Sequence, residues 1–250
     1  MKKQKNILVS FSGGLDSTYL VHQNLKEGCK VTGLYTTIKN NEDKVKVEKC
    51  QIDKLTELFK EDFPDQFNLR YGIDIEVYGS PDLYLKQIMI WIMSALYQEP
   101  GFDEVHIGAV MNDDLVSYVE EIKKTWETFE FLKEDGLPKL RFPLIKLPKY
   151  EIVKLLPERY KKLVVYCESP RIIKPIIGES EEVVFINCGF CNPCERYKYE
   201  SKKWNYEYGQ IHINESDLTR KEMSNLLSGA EISDIEPEIE EYNGNEPQQK

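Results

Sequence analysis

A doubly wound parallel α/β sheet followed by a small, cysteine-bearing C-terminal subdomain is the fold this sequence predicts. Two observations carry the first half. From residue 6 to residue 156, short apolar runs rich in β-branched residues alternate with longer stretches of helical spacing, the order expected of βαβ units. The first run, NILVSF, is apolar nearly throughout, as a strand covered on both faces should be. A third observation carries the second half: past Pro157 the pattern breaks into short segments with prolines at 170, 175 and 193, and four of the six cysteines fall between Cys167 and Cys194.

The elements follow in order. Residues 6–11 form the first strand, which Gly13 and Gly14 interrupt. A helix pattern starts near Asp16 and ends at Gly28, a residue suited to the left-handed position after a helix. Residues 30–36 (KVTGLYT) read as the second strand, and Val47, Ile52, Leu55, Leu58 and Phe59 space a helix over 43–63. Residues 73–78 alternate as a strand, and 83–97 are apolar nearly all round, as a buried helix is. Residues 104–110 read as a fourth strand and 115–132 as an amphipathic helix. Pro143 makes 140–147 an edge strand or a loop, and 150–156 a short helix follows. Thr219 and Glu222 form a capping-box pattern before Met223, Leu226 and Leu227, predicting a last short helix. From Glu231 the composition is acidic and polar, which predicts a disordered tail. The expected organisation is therefore an α/β domain over 1–156, a subdomain over 157–230 and a tail over 231–250.

Composition narrows the function classes. With 41% hydrophobic residues the 250-residue chain can bury a sizeable core. Lys plus Arg is 33 against 43 Asp plus Glu, a net charge of −10, so general nucleic-acid binding through basicity is not expected. No apolar run approaches the roughly 20 residues of a membrane helix, and the N-terminal apolar segment is shorter than a secretory signal needs. A soluble cytoplasmic protein is the expectation, and in that compartment clustered cysteines suggest a metal rather than disulfides.

The strongest N-terminal signal is Ser12-Gly13-Gly14-Leu15-Asp16-Ser17, between a buried strand and a helix start. Glycines let backbone approach an anion, and a helix N-terminus offers unpaired N–H groups and a favourable dipole. A side chain at Gly13 is expected to block that approach. Ser12 and Ser17 can donate to phosphate oxygens, and Asp16 either caps the helix or helps hold magnesium. The string is neither a Walker loop nor a dinucleotide fingerprint.

Cys188, Cys191 and Cys194 are spaced C-x2-C-x2-C, with Cys167 upstream. Four thiolates point to zinc or an iron–sulfur cluster; a closed site without an open position favours structural zinc, which would help fold this loop-rich part. Cys29 and Cys50 fall on predicted core elements. His22, His106 and His212 have no metal spacing and read as structural. The run from Arg196 to Trp204 is basic and aromatic, and reads either as a nucleic-acid contact or as an amphipathic helix packing behind the metal site.

The glycine string resembles the PP-loop of the ATP pyrophosphatase superfamily, whose members bind the β- and γ-phosphates of ATP there, adenylate a substrate oxygen and release pyrophosphate. This resemblance implies nucleotide binding by Phe11, Ser12, Gly13, Gly14, Leu15, Asp16, Ser17 and Thr18. Together with the late C-x20-C-x2-C-x2-C, it extends over about residues 6 to 200 to the QueC-type 7-cyano-7-deazaguanine (preQ0) synthases of queuosine biosynthesis. Ile107-Gly108 followed by Asp113, and Pro143-Leu144 followed by Lys149 and Glu151, resemble further segments of that family. The resemblance implies an ATP-dependent ligase forming C–N bonds, with Asp16, Asp113 and Lys149 at the chemistry. Lys149 either stabilises phosphate charge or is a solvated lysine at a helix start. It implies zinc on Cys167, Cys188, Cys191 and Cys194, with magnesium accompanying the nucleotide. A carboxylate, 7-carboxy-7-deazaguanine, would be adenylated, converted by ammonia to the amide, and dehydrated with a second ATP to the nitrile. A small-molecule acceptor and ammonia are the expected partners, with a homodimer left open and no membrane contact.

Three departures fall on segments that line the acceptor side in the family. Ile38 to Asp43 replaces its Q-R-H, Tyr84 to Gln87 replaces its P-G-R-N, and Tyr197 stands at its C-terminal Arg position, with Arg196 one before. ATP use and zinc thus carry over better than the acceptor. The alternative is a related enzyme adenylating another acceptor, in a phage or defence-related modification of nucleic acid or protein, or in tRNA thiolation. A thiolase would need a catalytic cysteine near the loop.

Overall fold

The computed structural model describes residues 3–39, 41–76, 87–98, 101–111, 113–132, 136–174 and 184–205. The expected helix at 219–227, the tail from Glu231, His212, Asn40, Pro175 and residues 84–86 lie outside the described residues.

Strand β1 (Asn6–Ser10) leads through α1 (Leu15–Lys26) to β2 (Lys30–Lys39), then through α2 (Glu42–Asp62) to β3 (Phe67–Glu76). The chain then crosses by α3 (Gln87–Leu96) to β4 (Glu104–His106), and by α4 (Val119–Thr128) to β5 (Lys139–Arg141). The five strands lie in the order β3-β2-β1-β4-β5, and every neighbouring pair is parallel. The winding therefore reverses between β1 and β4, the place where open α/β sheets leave a crevice at their carboxyl ends.

The central strands β1 and β2 are buried on both faces, with alternate residues joining opposite cores. Ile7, Val9, Val31 and Tyr35 join one core with Leu20 of α1, Ile52, Leu55 and Phe59 of α2, and Ile152 of α5 (Lys149–Leu155). Leu8 and Leu34 join the opposite core with Ile88, Ile92 and Leu96 of α3 and Ile122 and Trp126 of α4. Phe11 sits at the centre of an aromatic group, 6.1 Å from Phe59 and 6.2 Å from Phe67 by ring centroids.

Three expectations need correction. Strand β3 begins at Phe67, six residues before the alternating stretch that signalled it, because pairing to β2 from Val31↔Phe67 onward supplies hydrogen bonds that the mixed pattern of Asn68–Gly72 does not advertise. Strand β4 pairs only over Glu104–His106; residues 107–110 leave the sheet. The helix expected over 115–132 is a 3₁₀ turn (Asp114–Tyr118), α4, and a second 3₁₀ turn (Glu130–Leu132); α4 carries the fully buried stripe Val119, Ile122 and Trp126, whereas Tyr118, Phe131 and Leu132 are exposed.

Beyond α5, the short helix α6 (Glu158–Lys161) precedes an antiparallel ribbon of β6 (Arg171–Lys174) and β7 (Val184–Ile186), and α7 (Asn192–Trp204) ends the described chain. Tyr160 and Val164 belong to the main core, so core residues lie on both sides of the expected boundary at 156/157. The run from Arg196 to Trp204 is helical: Tyr197 packs against the main core and on Tyr166, while Tyr199 is exposed. No helix among the described residues is long and apolar enough to cross a membrane.

Candidate active site at the carboxyl edge of the sheet

A cavity of about 300 Å³ opens over the carboxyl ends of β1 and β4. Ser10, Ser12, Gly14, Asp16, Ser17, Gly108, Asp113, Lys149 and Arg196 are among its lining residues. They come from segments spread over nearly two hundred positions, gathered where the winding reverses.

The glycine loop is knit to itself. The Ser12 N–H donates to Ser17 Oγ at 3.3 Å, Ser17 Oγ donates to the Gly14 carbonyl at 3.2 Å, and the Thr18 N–H donates to the same carbonyl at 3.0 Å. Gly14 is the residue before the first helical turn, and no side chain caps it. The first N–H groups of α1 have no intrahelical partner and face the positive end of the helix dipole toward the cavity. Asp16 is therefore not the cap. It lies in the first turn, where Oδ2 takes an ion pair from Lys149 Nζ at 3.1 Å while Oδ1 is buried without a partner.

Gly13 has φ +73°, in the left-handed region, and a Cβ there would meet Ile52 Cγ1 at 3.0 Å. It faces α2 rather than the cavity, so the expected steric block toward an anion does not hold; the glycine is required for the turn and for packing. Gly108 is held by a different constraint. A Cβ on it would lie 3.2 Å from the Asp16 carbonyl carbon and the Ser17 nitrogen, so the strand end and the first turn of α1 touch backbone to backbone.

Two ion pairs, Lys149–Asp16 and Arg196–Asp113, line the cavity, with the Glu168 carboxylate also on its wall. Burial raises the Asp16 carboxyl above its ordinary value; Lys149 opposes the rise and Asp113 adds to it. Asp113 accepts from the Val110 N–H at 3.0 Å and from Arg196 at 3.4 Å, so α7 reaches back to the sheet. Of the expected nucleotide-binding set, Ser12, Gly14, Leu15, Asp16 and Ser17 line the cavity, whereas Phe11, Gly13 and Thr18 are buried beneath it. Arg196 was legible only as the neighbour of a displaced arginine. Its position on α7, two residues after Cys194, is what turns it toward Asp113.

A second cavity of about 120 Å³ adjoins the first. It is lined by Tyr35 and Thr36 of β2, Lys44 and Glu48 of α2, and Gln87, Trp91, Cys167 and Glu168. Tyr35 donates to Glu48 at 2.9 Å, and Lys44 pairs with Glu168 and lies 3.9 Å from Glu48. Burial pushes the Glu48 carboxyl up, against Lys44 and the Tyr35 hydrogen bond. Lys44 is buried, which alone would lower its pKa, yet Glu48 and Glu168 raise it above the ordinary lysine value. Sequence reasoning missed this group. The only signal was Lys44 and Glu48 four apart on a helix, a spacing that surface pairs share.

Cys167, Cys188, Cys191 and Cys194 place their sulfurs within 4.8 Å of one another, the one such metal-capable group among the described residues. Cys167 and Cys188 are 3.6 Å apart, and the N–H groups of Cys188 and Glu168 donate to Cys167 and Cys191 sulfurs at 3.2 and 3.4 Å. Hydrogen bonds from Cys167 and Cys194 lower the Cys191 thiol below its ordinary value. The donor set can hold a metal. Cys29 lies just before β2, at the edge of the sheet opposite the cavities, and Cys50 packs near Val47 and Phe185 on α2; neither lines a cavity. His22 and His106 are buried and structural: His22 packs on Tyr160 at 5.2 Å, and His106 bridges Glu104 at 2.8 Å and Asn24 at 3.2 Å.

No family model matches the chain, and no curated protein matches it. Among solved structures, the U34-tRNA thiolase NcsA from Methanococcus maripaludis, with its [4Fe-4S] cluster, is similar at TM-score 0.41 and 15% identity, over 100% of this chain and 80% of that one. NMN synthetase from Francisella tularensis gives TM-score 0.35 and 15% identity, over 61% of this chain and 60% of that one. A protein described as a predicted subunit of tRNA methyltransferase from Methanocaldococcus jannaschii DSM gives TM-score 0.33 and 12% identity, over 70% and 81%. Likenesses this distant carry no argument about activity, which rests on the chain's own geometry.

Proposed function

We propose that this chain is an ATP-using enzyme that adenylates a small acceptor, releases pyrophosphate and forms a C–N bond with ammonia. In its most specific form, the reaction converts 7-carboxy-7-deazaguanine to 7-cyano-7-deazaguanine. The observation that carries the reading is the uncapped N-terminus of α1, set behind the glycine loop and beside the Lys149–Asp16 pair at the point where the sheet winding reverses.

Each residue's part follows from its place. The first N–H groups of α1, with the Ser12 and Ser17 hydroxyls, bind phosphate oxygens. Lys149, held by Asp16, and Arg196, held by Asp113, are preorganised cations that offset charge developing on the leaving pyrophosphate. Gly108 keeps α1 against the strand end, fixing the distance between the loop and the acceptor. Magnesium, when bound, neutralises phosphate charge; the partnerless Asp16 Oδ1 and the Asp113 carboxylate would hold it. The four cysteines would hold zinc, whose role is to fold the C-terminal part. A Zn–S length of ~2.3 Å implies tetrahedral sulfur separations of roughly 3.8 Å, in keeping with thiols that all lie within 4.8 Å.

A second reading keeps the activation step and changes the acceptor; the Tyr35–Glu48–Lys44–Glu168 group lining the second cavity favours keeping it in view. Thiolation stays within that second reading: Cys29 and Cys50 line neither cavity, whereas Cys167 of the metal-capable group lines the second. The test is incubation with ATP, ammonium and 7-carboxy-7-deazaguanine, with pyrophosphate assay and mass spectrometry of products. Nitrile together with pyrophosphate is expected. Pyrophosphate without nitrile, in the presence of another carboxylate, selects the second reading, and absence of both removes ATP activation.

A further inference from the structure

Helix α7 is the last described element, and most of it lies at the surface. Of its 13 residues only Cys194 is fully buried. Tyr197 packs on the main core, while Tyr199 and Trp204 are left 67% and 43% exposed. The end of α7 meets α5, where the Tyr150 and Trp204 rings stack at 4.2 Å and 16°. Lysines gather on this pair. Lys154 lies 4.9 Å from the Tyr150 ring centre, and Lys203 lies 5.2 Å from that of Trp204 and 5.7 Å from that of Tyr199. Contacts between an ammonium and a ring face are attractive but leave the charge unneutralised. Among the described residues Lys202 and Lys203 have no carboxylate partner, and Lys154 has Glu151 at 3.3 Å.

This surface is positive in a chain that is negative overall. Asn192–Trp204 holds four basic residues against two acidic ones, while the whole chain carries a net charge of −10. Much of that excess sits in one place, since residues 231–250 hold seven acidic residues and one basic one. Between Glu231 and Glu241, six carboxylates are interleaved with Ile232, Ile235 and Ile239, and Tyr242 follows. Carboxylates with apolar side chains between them match lysines set among exposed rings. The chain also brings the two together. Asn205 ends α7 in the left-handed region at φ 49°, so the chain leaves α7 beside this surface. Only 26 residues, 205–230, separate Trp204 from Glu231. A flexible linker of that length reaches roughly 30 Å, and a segment tethered within such a reach has an effective concentration on the millimolar scale. A nucleic acid is the poorer match. Tyr150 and Trp204 each turn to the other a ring face that a stacking base would need, and the 43 acidic residues oppose a polyanion at long range.

We infer that residues 231–242 dock on the α5–α7 surface formed by Tyr150, Lys154, Tyr199, Lys202, Lys203 and Trp204. Their carboxylates pair with the three lysines, and their isoleucines cover the rings. None of the six surface residues lines either cavity, so the docked segment shields a basic surface from outside polyanions without closing the first cavity. The inference does not depend on the proposed reaction.

Carbodiimide cross-linking of the full chain tests it, because this reagent joins a carboxylate to an amine only where the two touch. Mass spectrometry should find carboxylates of 231–241 joined to Lys154, Lys202 or Lys203 at least tenfold more often than to the exposed Lys60 of α2 and Lys124 of α4. Links spread evenly over all these lysines, or none from this segment, would overturn the inference. Links between chains rather than within one, told apart by mixing isotope-labelled with unlabelled protein, would give the surface to a second copy and also overturn it. A second measurement uses labelled oligothymidine as probe and a full-length variant whose six carboxylates are amides (Glu231→Gln, Asp234→Asn, Glu236→Gln, Glu238→Gln, Glu240→Gln, Glu241→Gln). At low salt this variant is expected to bind the probe at least about tenfold more tightly than the wild type. Adding Lys202→Glu and Lys203→Glu should remove the gain, whereas adding Lys60→Glu and Lys124→Glu should not. An unchanged affinity, or a gain that survives the loss of Lys202 and Lys203, would show that the segment does not cover these lysines and would overturn the inference.

Discussion

Gly108 has no room for a methyl group, and the reason is backbone on the far side. Atoms of Asp16 and Ser17 stand 3.2 Å from where its Cβ would be, and a helix start cannot rotate away as a side chain can. Gly108→Ala is expected to lose about 1–3 kcal/mol in urea denaturation, the usual range for overpacking, and to cut pyrophosphate release more than tenfold by displacing the α1 N-terminus. Gly13→Ala should cost about 1–2 kcal/mol for its left-handed backbone, before any displacement of Ile52. His22 offers a pH signature. Burial and the nearby Lys26 lower its pKa below the ordinary value, with Asp62 opposing. The unfolded chain therefore takes up the proton first, so this contribution to stability is full above pH ~6.5 and declines as pH falls toward the folded pKa. In His22→Phe, which keeps the aromatic packing on Phe63 and Tyr160, the loss of melting temperature between pH 7.5 and 5.5 should be smaller than in the wild type. Thermal melts across that range decide it, and an identical slope would remove His22 from the account.

At the scale of elements, the C-terminal segment is tied to the walls of the first cavity at two points, one on the glycine loop and one on Asp113. The Val165 N–H donates to the Gly13 carbonyl at 3.1 Å, two residues before Cys167, and Arg196 of α7 reaches Asp113 two residues after Cys194. Helix α7 itself starts at the metal-capable group, with Cys191 as its N-cap residue. A metal there would fix both ties at once. One zinc per chain is expected by elemental analysis of protein purified without added metal; iron with visible absorption would refute it. Cys194→Ser, at a fully buried position, should lower both the melting temperature and the affinity for a non-hydrolysable ATP analogue, and a chelator should do the same to the wild type. If stability falls while nucleotide affinity holds, the two ties are not what shapes the proposed nucleotide site.

At the scale of the molecule, the acidic residues 231–250 carry too few apolar side chains to add to either core, and truncation at Gly229 should leave the pyrophosphate rate within about twofold. A larger loss would show that they act at the site. The α/β class, the order of strands and helices, the glycine loop and the cysteine quartet were determined by sequence alone, because each has a local physical signature. Apolar runs mark buried strands, Gly13 and Gly14 mark a tight turn before a helix, and thiol spacing marks a closed site. The beginning of β3 was not legible, because its hydrogen bonds to β2 rather than its own side chains hold Asn68–Gly72 in the sheet. Nor was the direction in which Gly13 faces, which depends on where α2 packs. Lys44 and Glu48 stand four apart on α2, a spacing common to surface pairs; it is the fold that sets Glu168, 120 residues beyond Glu48, and Tyr35 beside them. Charges brought together from distant segments have no local signature. Their juxtaposition exists only once the sheet is wound and the segment bearing Glu168 is folded beside α2.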